Sequence, residues 1–117
     1  MVWLPIVLWF SLAAGGPDPL QLTIRPAVSF APATIHILIR IEPHEDNAWV
    51  RVTADGDLYY RSTDIYLPGR QAPRYHDVWW KDMPTGEYIL WAYLGSRHGK
   101  LRAQRHREFT ILGRGGP

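Results

Sequence analysis

The chain has 117 residues, of which 46% are hydrophobic and 13% aromatic, and its net charge at pH 7 is +2. This is the length of one domain, and the composition is too apolar for a disordered chain. There is no cysteine, which excludes disulfides, cysteine-ligated zinc and a cysteine nucleophile. Glycines and prolines are spread along the chain, as is typical of short strands joined by turns.

The chain begins with an apolar run over residues 2–14, followed by Gly15 and Gly16. A membrane span needs about 18 apolar residues, so this run is short for one. It predicts a secretory signal peptide over residues 1–16, and hence a secreted or periplasmic protein with no membrane span after cleavage. Three other interpretations of this run remain open: an uncleaved anchor, a core strand and a misassigned start of the chain. An exported chain without disulfides fits a bacterial envelope protein.

Alternating apolar and polar residues then predict a series of strands. The segments are 21–25, 28–30, 34–42, 49–54, 58–62, 65–67, 75–80, 88–94 and 101–112, with 28–30 continuing the first strand on the other sheet. Seven to eight strands with turns at this spacing predict an all-β fold, a two-sheet antiparallel sandwich over residues 17–112. A barrel is the alternative. Residues 113–117 are expected to form a flexible tail.

Side-chain alternation also predicts the core. Because successive residues of a strand point to opposite faces, one set of alternate positions in each strand is expected to be buried. The predicted inward residues are Ile35, Ile37, Ile39, Ile41, Val50, Val52, Ala54, Tyr88, Leu90, Ala92 and Leu94.

A turn with Pro84 and Gly86 precedes Tyr88 at the start of the penultimate strand. This unit resembles the tyrosine corner of immunoglobulin-like and fibronectin type III domains, here of a bacterial β-sandwich type. The resemblance implies a non-catalytic exported module for protein interaction, or for a structural or accessory role at the cell envelope. It implies no enzyme activity and no cofactor.

One predicted outer face is aromatic. If Tyr88 points inward, Ile89, Trp91 and Tyr93 point outward, and the strand that pairs with this one in immunoglobulin-like sandwiches contributes Trp49 and Arg51. Large exposed apolar patches usually mark interaction sites, and aromatic rings beside arginine suit stacking. The face is therefore predicted to bind a protein partner or a glycan of the envelope, which makes a carbohydrate-binding module an alternative function. Ordinary cross-strand packing is the competing interpretation.

Basic residues cluster near the end of the chain, at Arg97, Lys100, Arg102, Arg105 and Arg107. They favour either a charged edge strand that resists aggregation or a polyanion-binding surface. Export argues against nucleic acid as the partner. Since Phe109 and Ile111 belong inward, Arg105 and Arg107 would point inward too, and a β-bulge over residues 105–108 is predicted to resolve this conflict.

No residue pattern selects a catalytic or metal site. The five histidines lack metal-ligand spacing, and no serine lies in a nucleophile elbow. His76 and Asp77 are adjacent in a strand and therefore point to opposite faces. The acidic loops at residues 44–46 and 55–57 are expected at opposite poles. The sequence thus predicts neither catalytic nor metal-binding residues.

Overall fold

The computed structural model describes residues 16–113, which fold into strands and a single 3-10 turn. The strands are β1 (Leu20–Arg25), β2 (Val28–Phe30), β3 (Ala33–Ile41), β4 (Asn47–Gly56), β5 (Tyr60–Tyr66), β6 (Tyr75–Met83), β7 (Gly86–Ser96) and β8 (Leu101–Leu112). The prediction of an all-β chain with two sheets is confirmed.

The two sheets differ in size. The smaller sheet has the order β1-β3-β6, and the larger sheet has the order β2-β8-β7-β4-β5. Neighbouring strands are antiparallel except β2, which pairs with β8 in parallel. The predicted purely antiparallel arrangement is wrong at this one pair, because β2 crosses from β1 to the far edge of the other sheet.

The two sheets bury one shared core between them. The alternation predicted for β3, β4 and β7 is observed, since every inward residue named above is at most 3% exposed. The smaller sheet adds Trp80 from β6, whose indole N–H donates to the hydroxyl of Thr63 on β5 across the interface (2.9 Å). This bond gives the buried indole N–H an acceptor, which a buried polar group requires.

Strand β5 is a single strand, where the sequence predicted two short ones over 58–62 and 65–67. Its residues alternate between exposed and half-buried, and Tyr60 and Tyr66 are both largely exposed at the sheet edge. The polar residues between the two predicted strands suggested a break in the chain's extended structure. Strand β5 instead pairs with β4 without a break from Tyr60 to Tyr66.

The turn before β7 has the hydrogen bond that the sequence suggested. The hydroxyl of Tyr88 donates to the backbone carbonyl of Pro84 at 2.7 Å, and the ring stacks on Phe109 of β8 (centroids 4.8 Å apart). Burial raises the pKa of the Tyr88 phenol above its ordinary value.

The bulge predicted over residues 105–108 is wrong. Pairing of β7 with β8 runs without interruption from Gly86–Ile111 to Leu94–Ala103, and the only irregularity lies between Leu94 and Gly95. Arg105 is accommodated on the inner face by an ion pair with Asp18 at 2.6 Å. Arg107 is exposed, as expected where three strands cannot cover all of a five-stranded sheet.

The predicted signal peptide, apart from Gly16, and the predicted tail, apart from Gly113, lie outside the described residues. Between Gly16 and Gly113 there is no helix long and apolar enough to cross a membrane.

Candidate functional site

The outer face of the larger sheet carries the aromatic residues that the sequence singled out. In the pairing of β4 with β7, Arg51 lies opposite Tyr93, and Thr53 lies opposite Trp91. Trp49 lies opposite Gly95, one pair further along. Four of the predicted residues, Trp49, Arg51, Trp91 and Tyr93, therefore lie together on one face of the sheet.

These side chains line a depression of about 400 Å³ on the sheet surface. Its lining residues come from β4, β5, β7 and β8. They are Trp49, Arg51, Thr53, Asp55, Tyr60, Trp91, Tyr93 and Leu101. Its size lies within the range of small-molecule sites. We refer to it as the aromatic depression.

The rings of Trp91 and Tyr93 in the aromatic depression are in contact with each other and with a neighbouring strand. Trp91 and Tyr93, two residues apart on β7, are nearly parallel, with centroids 6.0 Å apart and an angle of 10°. On the β8 side, the ring of His106 lies 4.9 Å from Trp91 at a tilt of 40°. Both Trp91 and Tyr93 are half-buried, so part of each ring remains accessible to a ligand.

Arg51 is held by two partners. Its guanidinium donates to both carboxylate oxygens of Asp64 on β5, at 2.7 and 3.0 Å, and it lies 5.8 Å from the centroid of the Trp49 ring. Hydrogen bonding and charge lower the pKa of the Asp64 carboxyl and raise that of the Arg51 guanidinium. The positive charge of the depression is therefore already neutralised within the sheet.

Asp55 supplies the remaining charge of the aromatic depression. Among the described residues its carboxylate makes no hydrogen bond and no ion pair, and the residue is exposed. Asp55 also borders an adjoining cleft whose other charged lining residues are Asp57, Glu87 and Glu108. This end of the outer face is negatively charged.

One predicted residue does not line the aromatic depression. Ile89 lies opposite Asp55 and Glu108 and lines the acidic cleft instead. Other residues of the site were missed from the sequence. Tyr60, Asp64 and His106 went unrecognised because they enter through the pairing of β4 with β5 and of β7 with β8. The alternation of Tyr60 and Asp64 in one strand was the available signal.

Four of the five predicted polyanion-binding residues donate hydrogen bonds within the chain. Arg97 donates to the carbonyl of Glu45 (2.8 Å), and Arg102 donates to the side-chain oxygen of Asn47. Arg105 donates to the Asp18 carboxylate, while Arg107 donates to the carbonyl of His106. Lys100 lies exposed in the preceding loop.

The ion pair between Arg105 and Asp18 is partly buried. Burial raises the pKa of the Asp18 carboxyl, but hydrogen bonds from the Leu20 N–H and from Arg105 outweigh this, and the net shift is downward. Arg105 therefore stabilises the contact between the segment that precedes β1 and β8.

A histidine–aspartate contact lies on the outer face of the smaller sheet. The Nε2 atom of His36 on β3 is hydrogen-bonded to the carboxylate of Asp77 on β6, and the imidazole stacks on Trp79 (centroids 4.0 Å apart, 7°). From the sequence alone, the neighbours His76 and Asp77 are the only such pair that can be weighed. The contact of His36 with Asp77 depends on the pairing of β3 with β6, which cannot be read from either strand alone. Within residues 16–113 no three histidine, aspartate or glutamate side chains are grouped so that they could hold a metal ion.

Comparison with solved structures identifies proteins of similar fold. The chain is similar to the superoxide reductase (neelaredoxin) of Ignicoccus hospitalis, with a TM-score of 0.63, 12% identity and coverage of 80% of each chain. It is also similar to a point-substituted form of that protein, with a TM-score of 0.62, 14% identity, and coverage of 87% of this chain and 85% of the other. No protein-family model matches the chain, and no curated protein matches it by sequence.

These comparisons overturn three predictions. The resemblance to immunoglobulin-like and fibronectin type III domains is wrong as an assignment, because the similar structures are superoxide reductases. The Tyr88–Pro84 hydrogen bond is a local feature of the turn and does not identify the family. The predictions of a non-catalytic interaction module and of a chain that is not an enzyme are contradicted as well, because the solved structures with a similar fold are redox enzymes.

Proposed function

We propose that the aromatic depression binds a small organic cation, such as a substituted ammonium group. The observation that carries the proposal is the combination of accessible aromatic rings with the carboxylate of Asp55, which no described residue neutralises. The electron-rich faces of tryptophan and tyrosine attract cations, by about 0.5–1 kcal/mol at exposed sites and about 2 kcal/mol where water is excluded.

The charges of the lining residues support a cation over an anion. Arg51 is the basic lining residue, and its guanidinium donates hydrogen bonds to both carboxylate oxygens of Asp64. An anionic ligand would have to compete with Asp64 for Arg51 and would meet Asp55 beside it. A cation meets Asp55 directly, and the acidic cleft beyond adds to the attraction over a longer range.

Superoxide reduction is the activity that the names of the similar structures suggest for this chain. The reaction transfers one electron, for which proteins ordinarily use a bound redox-active metal or cofactor. Every histidine, aspartate and glutamate of the sequence lies within residues 16–113, the chain has no cysteine, and no metal-holding group of three such side chains forms in this range. The donor residues do not fit such a metal, and we derive no reaction step from the comparison.

The proposal is tested by titrating the purified chain with choline and with its neutral carbon isostere, using isothermal titration calorimetry. Choline should bind, and Trp91→Ala and Asp55→Asn should each weaken binding by about tenfold, the equivalent of about 1.4 kcal/mol.

Matched controls lie on the smaller sheet. Trp79→Ala removes another exposed indole, and Asp77→Asn removes another exposed carboxylate, so neither should change the affinity for choline. Equal binding of the neutral isostere would refute a cation site. Tighter binding of a neutral sugar than of choline would point to a glycan instead.

A further inference from the structure

His106 lies at the edge of the aromatic depression, directly opposite Trp91 in the pairing of β7 with β8. The centroids of the two rings are 4.9 Å apart, and the imidazole is exposed to solvent. The ring of His106 is therefore in contact with the indole that the proposed ligand would use.

Protonation of His106 would change what Trp91 offers to a ligand. A neutral imidazole leaves the indole available to another cation. An imidazolium ion is itself a cation beside the indole, and it would both occupy the electron-rich ring and repel a second positive charge. Histidine is the side chain whose charge ordinarily changes between about pH 5 and 8.

The surroundings of His106 are simple. On β8 the same face carries Gln104 and Glu108, and on β7 it faces Trp91, with Tyr93 and Ile89 on either side. Arg105 and Arg107 flank it in sequence but point to the opposite face of the sheet. On its other side, β2 pairs with β8 only at residues 110–112, so among the described residues no strand is hydrogen-bonded to β8 beside His106 there.

We infer that His106 makes this site pH-sensitive: the affinity for an organic cation falls when His106 becomes protonated. The inference rests on the proposed function, because it concerns the same site. The neutral state of His106 is the binding-competent one. Acidification therefore weakens binding of the ligand.

The test measures the dissociation constant of tetramethylammonium for the full chain across about pH 5 to 8. Affinity should be about fivefold weaker at the acidic end, a modest effect as expected for a charge pair near solvent. Aspartate and glutamate ordinarily titrate below this range, so a midpoint inside it indicates a histidine.

Two variants identify the histidine. In His106→Gln and in His106→Phe the affinity should no longer depend on pH, and the phenyl variant keeps a ring against Trp91. His76→Gln is the matched control, since His76 lies on the smaller sheet and bonds to the carbonyl of Pro73. This variant should keep the pH dependence of the unmodified chain.

The possible failures are distinguishable. Absence of binding at the alkaline end overturns both the proposed function and this inference. Binding that requires Trp91 but does not vary with pH leaves the proposed function standing and overturns the role of His106. A pH dependence that survives in both His106 variants also overturns it.

Discussion

The indole of Trp49 lies against the backbone of Gly95, so close that a Cβ atom added at Gly95 would overlap the ring. The two residues are paired across β4 and β7, next to irregularities in the pairing on both strands. Glycine is therefore required at position 95 by the approach of a side chain. This contact sets the orientation of one wall of the aromatic depression.

Gly95→Ala is expected to push Trp49 out of its place. The methyl group must either displace the indole or distort β7, which costs about 1–3 kcal/mol of stability, as overpacking does elsewhere. The affinity for choline should fall while the circular dichroism spectrum remains that of a β protein. Gly113→Ala is the control, since a Cβ there would make only an ordinary contact with Thr85. Unchanged choline affinity in Gly95→Ala would show that Trp49 does not contribute to the site.

Asp64→Asn should weaken choline binding even though Asp64 does not line the aromatic depression. The substitution removes the charge that neutralises Arg51, so a free guanidinium would face the ligand. A loss of about threefold to tenfold is expected, in line with charge pairs that remain partly hydrated. Asp77→Asn removes a carboxylate from the other sheet and should have no effect.

The same pair gives a pH dependence with a defined sign. The pKa of the Asp64 carboxyl is lowered in the folded chain, so its contribution is present above its ordinary value of 3.8 and is lost as the pH falls through the folded value. Acid unfolding should therefore begin at a similar or higher pH in Asp64→Asn. An Asp64→Asn variant more resistant to acid than the unmodified chain would contradict the pairing with Arg51.

Alternation along single strands accounts for what the sequence predicted correctly. The four isoleucines of β3 and the outward Trp49, Arg51, Trp91 and Tyr93 follow from a period of two residues, which is a local property. The pairing of β4 with β7 was assumed from an immunoglobulin-like arrangement. The structure has this pairing, although the assignment that suggested it is wrong.

Features that depend on register between distant strands could not be predicted. Asp64 joins the site because β5 pairs with β4 so that Asp64 faces Arg51, and His36 meets Asp77 only through the register of β3 with β6. The bulge predicted for β8 assumed that Arg105 and Arg107 could not lie on the inner face with Phe109 and Ile111. The narrower opposing sheet and the ion pair of Arg105 with Asp18 allow polar side chains there instead.

Thr63→Val should destabilise the chain by about 1–3 kcal/mol, because the buried indole N–H of Trp80 would lose its acceptor. Valine keeps the shape of threonine, so the loss reports the hydrogen bond. Thr63→Ser keeps the hydroxyl and should cost less. Urea unfolding followed by circular dichroism measures both. A loss in Thr63→Ser with little or no loss in Thr63→Val would mean that the methyl group of Thr63, and not its hydroxyl, stabilises the contact.

Tyr88→Phe tests the turn before β7. It removes the hydrogen bond to Pro84 while keeping the ring that stacks on Phe109, so a loss of about 1 kcal/mol in the free energy of unfolding is expected near neutral pH. The pKa of the Tyr88 phenol is raised in the folded chain, mainly by burial, so stability falls as the pH rises above its ordinary value of about 10, where the unfolded chain loses the proton first.

Phenylalanine cannot ionise, and Tyr88→Phe should therefore lose less stability than the unmodified chain between neutral and alkaline pH. Tyr75→Phe is the control, because Tyr75 is exposed and its substitution should leave the alkaline dependence unchanged. Urea unfolding at neutral pH and above about pH 10 measures the difference. If the two chains lost stability in parallel, the buried phenol of Tyr88 would not be the group that makes the fold sensitive to alkali.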